Sequence, residues 1–418
     1  MERVFFHVDV NSAFLSWSAL KLLEEGHDDL RLIASCVGGD EKSRHGIVLA
    51  KSIIAAQAGV RTGEPLYMAR KKCPGLVTVK PQFDWYVKNS RAMIAIMQEF
   101  TPDVEQYSID EAFLDMTGMQ TLMGPPFEAA ARLKDRIRDE LGFTVNIGIS
   151  SNRLLAKMAS DFQKPDKIHT LFPDEIDKKM WHLPVGSLFG VGKSTAKALN
   201  NMGFYTIGDV AAADRGMLVS KLGKMGDMAW NYANGIESVA IVRHEAKENS
   251  YGNSVTTGED VSSIDVALGI IMSLAESVAL RLRTDGKKAG VVTVTLVDAE
   301  FNRHSHQCSL EYPTNTTDVI YENAQQLLYE MWKADRPVRL IGISAGKAAH
   351  EEFEQMSLFA DERTDKLKKL DAAMDEIRNK FGEEAVVRAR LLGSERQERL
   401  SKAKNAQKRR NVEKCCYT

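Results

Sequence analysis

The chain has 418 residues, 44% of them hydrophobic, and a formal net charge of −2; length alone suggests about three domains. No apolar run is long enough to span a bilayer, and the opening "MERVFFHVDV" lacks the layout of a signal peptide, so a membrane location is excluded and a cytoplasmic one expected. Five cysteines without a C-x-x-C pair point to a reducing compartment rather than a disulfide scaffold or zinc site, and the near-neutral charge argues against a nucleic-acid partner unless the bases are segregated.

Along the chain, "VFFHVDV" (residues 4–10) reads as a buried strand. "SAFLSWSALKLLEE" follows with helical spacing and Ser12 as its N-cap. "LIASCVGG" and "GIVLAKS" read as strands about a polar turn. A short helical piece ends near Gly59, and a second, "EPLYMARKKCP", stops at Pro74. "LVTVKP" is a strand, and a long amphipathic helix spans about Trp85 to Phe100. A carboxylate-bearing hairpin, a helix at about Phe127 to Leu141 and the strand "TVNIGIS" complete one α+β unit. From about Leu171 to Ile241, short helices and Gly-rich turns dominate, and "RHEAKENS" reads as a linker. The order then becomes β-α-β-β-α-β, as in a ferredoxin-like domain. Leu367, Leu370, Met374, Ile377 and Phe381 have a/d spacing, which predicts a helix; beyond Gly393 the tail is polar and basic, as in a solvated segment. The terminal "CCYT" has Tyr where a prenylation box has an aliphatic residue, so it reads as a plain C-terminus.

The hairpin "YSIDEAFLD" sets Asp110 beside Glu111 between apolar residues, and "FFHVDV" places Asp9 at the end of a buried strand. Charges there cost stability unless something satisfies them. If the strands are neighbours, three carboxylates converge and require a cation. Oxygen donors without His or Cys favour Mg²⁺ or Mn²⁺. Two such ions clamping an in-line phosphoryl displacement account for all three acids.

"HVDVNSAF" with "YSIDEAFLD" resembles the catalytic palm of Y-family (translesion) DNA polymerases, in the DNA polymerase IV branch, and the resemblance runs to about Phe359. It implies a right-hand polymerase of α+β class: palm at 1–18 and 80–170, small fingers at 19–79, helical thumb at 171–241, linker at 242–250, ferredoxin-like little finger at 251–350, and a clamp-binding motif with a helical, basic tail at 351–418. The activity implied is template-directed, low-fidelity synthesis from dNTPs on primer-template DNA, in damage tolerance or repair. The enzyme would act as a monomer, at the nucleoid when bound to DNA. By position, Asp9, Asp110 and Glu111 are the catalytic acids and, with the Val10 carbonyl, the ligands of two magnesium ions. Phe14 falls at the steric gate that excludes ribonucleotides. In "GISSNRLLAKMASDFQKPDK", Lys164 falls where the family reaches the triphosphate. "LPVGSLFGVGKSTAKALNNMGF" resembles a helix-hairpin-helix, with Gly190 and Gly192 forming the turn and Lys193 adding charge toward a DNA phosphate. "QMSLF" resembles the peptide that binds the bacterial sliding clamp, through Gln355, Leu358 and Phe359.

One segment departs from the family. Its fingers carry a Tyr and an Arg on the triphosphate; in "GIVLAKSIIAAQAGVRTGEP" those positions are Ile53 and Ala56. Lys51 and Lys164 together are the substitutes expected here: if the strand continues, Lys51 and Ile53 point the same way, into the nucleotide site. Two rivals remain open. "VGGDEK" is similar to the GGDEF signature of diguanylate cyclases, but has Lys42 in place of Phe. The missing Tyr and Arg would also suit a non-catalytic, clamp-tethered accessory protein of translesion synthesis.

Overall fold

The computed structural model describes residues 3–40, 44, 46–237, 249–333, 335–350, 362–382 and 385–391. They divide into two units, one formed by residues 3–40 and 46–237, the other by residue 44 and the described residues from 249 to 391.

The strands of the first unit are β1 (Phe5–Val10), β2 (Ser35–Gly38), β3 (Val48–Lys51), β4 (Val77–Val79), β5 (Val104–Gln106), β6 (Glu111–Asp115), β7 (Val145–Ser150) and β8 (Ile168–Thr170). Its helices are α1 (Ala13–Glu24), α2 (Ile53–Gln57), α3 (Leu66–Lys72), α4 (Phe83–Gln98), α5 (Gln120–Met123), α6 (Pro126–Leu141), α7 (Arg153–Ser160), α8 (Ile176–Lys179), α9 (Lys193–Asn201), α10 (Ile207–Ala212), α11 (Arg215–Leu222) and α12 (Lys224–Ala233). The main sheet has the order β5-β6-β1-β7-β8. β1 is antiparallel to both neighbours, and all six of its residues are buried.

Strand alternation divides β1 between two jobs. Phe6, Val8 and Val10 join Ala112, Leu114, Val145, Ile147 and Ile149 in an apolar core with α4 and α6. His7 and Asp9 point to the other face, across from Phe113 and Glu111 on β6 and from Gly148 and Asn146 on β7. Helix α7 covers part of that face. A Cβ on Gly148 would lie 1.9 Å from the Ala156 carbonyl oxygen and 2.5 Å from the Ser160 amide nitrogen, so only glycine lets α7 approach this closely.

A smaller sheet, β3-β2-β4, packs with α2 and α3 around Cys36, Val48, Ala55, Leu66 and Ala69. The boundary expected at residue 18 falls inside α1: Trp17 belongs to the main core, while Leu15 and Ala19 pack with Val37 and Ala50. The expected continuation of β3 does not occur. The strand ends at Lys51, because the Ser52 side chain accepts the Ala55 N–H and caps α2. Ile53 therefore opens a helix, and strand alternation does not relate it to Lys51. Helices α8 to α12 close around Ile176, Met180, Leu199, Val210 and Leu218.

The second unit comprises β9 (Ser250–Val261), α13 (Ile264–Thr284), β10 (Ala289–Asp298), β11 (Arg303–Thr314), α14 (Thr317–Met331), β12 (Val338–Gly346) and α15 (Glu362–Phe381). The element order is the expected one, but the strand order is β11-β10-β12-β9, antiparallel throughout. The first and third strands are at the edges, where a ferredoxin-like sheet has its second and fourth. Each helix still links two strands with a third between them; what differs is which strand each crossover spans, and no local pattern encodes that. Val292, Val294, Ile341, Ile343 and Tyr251 pack into the helices. The opposite face carries Gln307, Thr293, Ser344 and Gly252 in one row and Ser305, Thr295, Gly342 and Ser254 in the next, with no carboxylate in either.

The a/d residues of α15 do not form an apolar seam: Leu370, Ile377 and Phe381 are exposed, and Met374 is buried beside Asp371. Charge anchors the helix instead. Asp371 accepts from the Thr317 N–H at 2.8 Å and from Arg388 at 2.9 Å and Arg283 at 3.2 Å, while Asp375 takes Arg283 at 2.6 Å.

Candidate active site

The register of β1 on β6 sets Asp9 opposite Glu111, and the Val10 N–H donates to the Asp110 carbonyl at 3.0 Å. Asp110 ends the turn between β5 and β6, where Ser108 Oγ donates to its Oδ1 at 2.6 Å. Acids remote in sequence thus share one end of the polar sheet face.

Their electrostatics are those of an under-compensated site. Burial pushes Asp9 up to about 7, with Lys164 opposing and the charges of Glu111 and Asp110 reinforcing the rise. Burial also raises Asp110, against the Ser108 hydrogen bond. Glu111 goes the other way. Burial alone would raise it, but contacts with His7 and Lys157 hold it down to about 2. Among the described residues, no three carboxyl, imidazole or thiol groups converge on one point. Asp9 and Glu111 are turned onto ammonium groups: Lys164 Nζ is 2.8 Å from Asp9 Oδ1, and Lys157 Nζ is 2.5 Å from Glu111 Oε2. The donor chemistry fits a hard divalent cation: the donors are all oxygen, and burial works against the charged forms of Asp9 and Asp110, a cost that a cation among them offsets.

A cavity of about 280 Å³ opens beside Val10 and Asp110, with Phe14, Lys51, Ile53, Ala56 and Thr62 in its wall. Phe14 stacks on Tyr86 with ring centroids 4.8 Å apart and meets Phe83 edge-on at 5.9 Å, so it is at once a core residue and a wall of the cavity. Lys51 reaches the cavity from the end of β3, where Nζ donates to Thr62 Oγ1 at 3.2 Å. Helix α1 begins at the same wall, with no capping side chain and no acid in its first turn; its free N–H groups suit an anion.

Gly190 has φ +79, and a Cβ there would lie 2.9 Å from Met228 Cε. Gly192 precedes α9, which Lys193 opens. Gln355, Leu358 and Phe359 lie outside the described residues. The structure also brings in residues that the sequence reading passed over. His7 and Lys157 flank Glu111. Asn11 Oδ1 accepts from the Asp166 N–H at 2.9 Å and so ties down the segment bearing Lys164. A histidine two residues before a strand-end acid, and a lysine within the apolar run of α7, were the available signals.

Comparison with known proteins agrees along nearly the whole chain. The impB/mucB/samB family profile matches residues 8–161, its C-terminal domain residues 248–358, and the helix-hairpin-helix motif of the same family residues 173–204. The chain is 44% identical to a DNA polymerase IV of Clostridium acetobutylicum over 401 residues, covering 94% of this chain and all of that protein. It is 36% identical to DNA polymerase IV 2 of Bacillus subtilis, covering 94% of this chain and 95% of that one. Among solved structures, a Y-family DNA polymerase chimera superposes with a TM-score of 0.70 at 20% identity, covering 83% of this chain and all of that one.

Proposed function

The chain belongs to the impB/mucB/samB family, the Y-family DNA polymerases, in the DNA polymerase IV branch, and from that premise we propose which of its residues carry the chemistry. It is a DNA-directed DNA polymerase of the translesion kind, dependent on a divalent metal and acting on DNA. The reading as a non-catalytic accessory protein is not favoured, since its relatives are polymerases by name. No described helix is long and apolar enough to cross a membrane, and we take the site of action to be the nucleoid.

Asp9, Asp110 and Glu111, with the Val10 carbonyl, would hold two Mg²⁺ ions, which supply charge neutralisation as the primer 3′-OH attacks the α-phosphate and pyrophosphate leaves. The rest of the chemistry is positioning. Lys164, already beside Asp9, is within reach of the triphosphate of an incoming dNTP, and Lys51 meets it from the fingers side. The uncapped start of α1 offers N–H groups to the same phosphates. Phe14 crowds the sugar. Gly190, Gly192 and Lys193 present backbone amides and one charge to a DNA phosphate. The two hydroxyl-rich rows of the second sheet, which hold no carboxylate, offer DNA a surface despite the net charge of the chain. Gln355, Leu358 and Phe359 would dock into the sliding clamp; alanine at all three is expected to abolish clamp-stimulated synthesis while basal synthesis persists.

The observation that carries this reading is the β1–β6 register, which pairs Asp9 with Glu111 on a buried polar face. Asp110→Ala with Glu111→Ala should abolish primer extension and leave DNA binding intact. Robust synthesis by that double variant would sink the assignment.

A further inference from the structure

Lys157 lies on α7, where that helix presses on the sheet, and is only 8% exposed. Its Nζ donates to Glu111 Oε2 at 2.5 Å and is 3.4 Å from His7 Nε2. Two rings enclose the ammonium: the Tyr107 centroid is 5.2 Å away and the Phe189 centroid 5.4 Å. The rings meet edge-to-face at 6.4 Å. Tyr107 belongs to the turn that carries Asp110, and Phe189 immediately precedes Gly190.

The proton positions follow from the contacts. Ser160 Oγ gives its single hydrogen to the Lys157 carbonyl at 2.8 Å. It must therefore accept from His7 Nδ1, 2.7 Å away. The ring proton is then on Nδ1, and the Nε2 lone pair faces Lys157. Lys157 Nζ is also the nearer group to Glu111 Oε2, at 2.5 Å against 3.5 Å for His7 Nε2, so the main hold on that carboxylate rests with Lys157. A buried ammonium needs full compensation. Here it has a carboxylate, an imidazole lone pair and two aromatic faces.

We propose that Lys157 is a positioning residue: it fixes the orientation of the Glu111 carboxylate and, through Tyr107 and Phe189, couples that carboxylate to the hairpin turn of the thumb. The proposal rests on the reading of Glu111 as a metal ligand. Its consequence is a split between binding and turnover. The ammonium orients Glu111 but also repels any dication beside it. Removing the charge while keeping the length should tighten cation binding and still slow the reaction, because a stronger grip in the wrong geometry does not favour the transition state.

The test uses full-length protein, with Mn²⁺ binding followed by electron paramagnetic resonance without DNA, and single-nucleotide insertion kinetics alongside. Lys157→Met should bind Mn²⁺ about tenfold more tightly, with kcat down at least about tenfold and KM for dNTP within about twofold of wild type. Phe189→Leu keeps the charge and loosens the cage; Mn²⁺ affinity should stay within about twofold while kcat falls about fivefold. Unchanged or weaker Mn²⁺ binding by Lys157→Met, or wild-type kcat in either variant, overturns the proposal. If Lys157→Met fails to fold by circular dichroism, Lys157→Arg and Phe189→Leu decide it: Arg keeps Mn²⁺ affinity and part of the turnover, and wild-type kcat in Phe189→Leu overturns the coupling. Wild-type Mn²⁺ binding that survives Asp110→Ala would remove the metal-ligand reading and the proposal together. Binding lost in Asp110→Ala but unchanged in Lys157→Met sinks the proposal alone.

Discussion

Replacing Lys51 with alanine asks what would grip the triphosphate in a polymerase with Ile53 and Ala56 at the positions where the resemblance implies a Tyr and an Arg. Among the residues around the 280 Å³ cavity, Lys51 is the cationic one. Its present partner is the neutral Thr62 hydroxyl at 3.2 Å, so turning the ammonium toward a phosphate costs little. A hydrogen bond to a charged group contributes about 1.5–3 kcal/mol. At about 1.4 kcal/mol per decade, Lys51→Ala should lower kcat/KM for dNTP about ten- to a hundredfold. A phosphate contact already made in the ground state places most of that loss in KM. A compact ammonium also lacks the fork of an arginine, so wild-type KM should rise steeply with salt and the variant's less so. The assay is single-nucleotide insertion on a primer-template at two ionic strengths, without the clamp. Ala56→Arg, at an exposed position in the same wall, is the reciprocal variant and should lower KM. Kinetics of Lys51→Ala within about twofold of wild type would refute the reasoning and leave Lys51 a solvated surface residue.

Phe14→Ala should raise the ratio of ribonucleotide to deoxyribonucleotide insertion at least about tenfold, since a ring that only fills space against Tyr86 has no reason to discriminate sugars. Competitive insertion assays read that ratio, and an unchanged value returns Phe14 to the core; the lost stacking should also cost roughly 2–4 kcal/mol of stability. Asp371→Ala leaves Arg283 and Arg388 short of a buried partner and the Thr317 N–H uncapped, at a cost of about 3–5 kcal/mol. The expected readout is faster amide exchange and proteolysis within α15, with β9 to β12 still protected; wild-type protection of α15 would mean that Met374 anchors the helix and the charges do not.

Much of the site was legible in the sequence because acids in apolar strands are conspicuous. Asp9 after "FFHV" and Asp110–Glu111 before "AFLD" violate burial preferences and so announce a cation. Period-2 and period-3.6 patterns likewise mark the strands and helices, including β9 to β12 in their β-α-β-β-α-β order. Composition misled on one point: a net charge of −2 argued against a nucleic-acid partner, yet the chain is a DNA polymerase. Net charge sums over residues that the fold pairs off, as in the cluster of Arg283, Arg388, Asp371 and Asp375, and says nothing of any single face.

The sequence by itself determined which residues carry unusual chemistry and which local elements hold them, because burial preference, periodicity and capping act over a few residues. Only the tertiary structure decided what those residues meet. The pairing of Asp9 with Glu111 is a register across β1 and β6, strands far apart in the chain. The hold of Lys157 on Glu111 depends on α7 descending onto Gly148, a fit between one missing Cβ and one helix backbone. The end of β3 at Lys51 depended on Ser52 capping α2 instead of extending the strand. The strand order of the second unit depended on which strand each crossover spans. Contacts of this kind join segments whose separation in sequence carries no signal, and their energies arise only when the chain is packed.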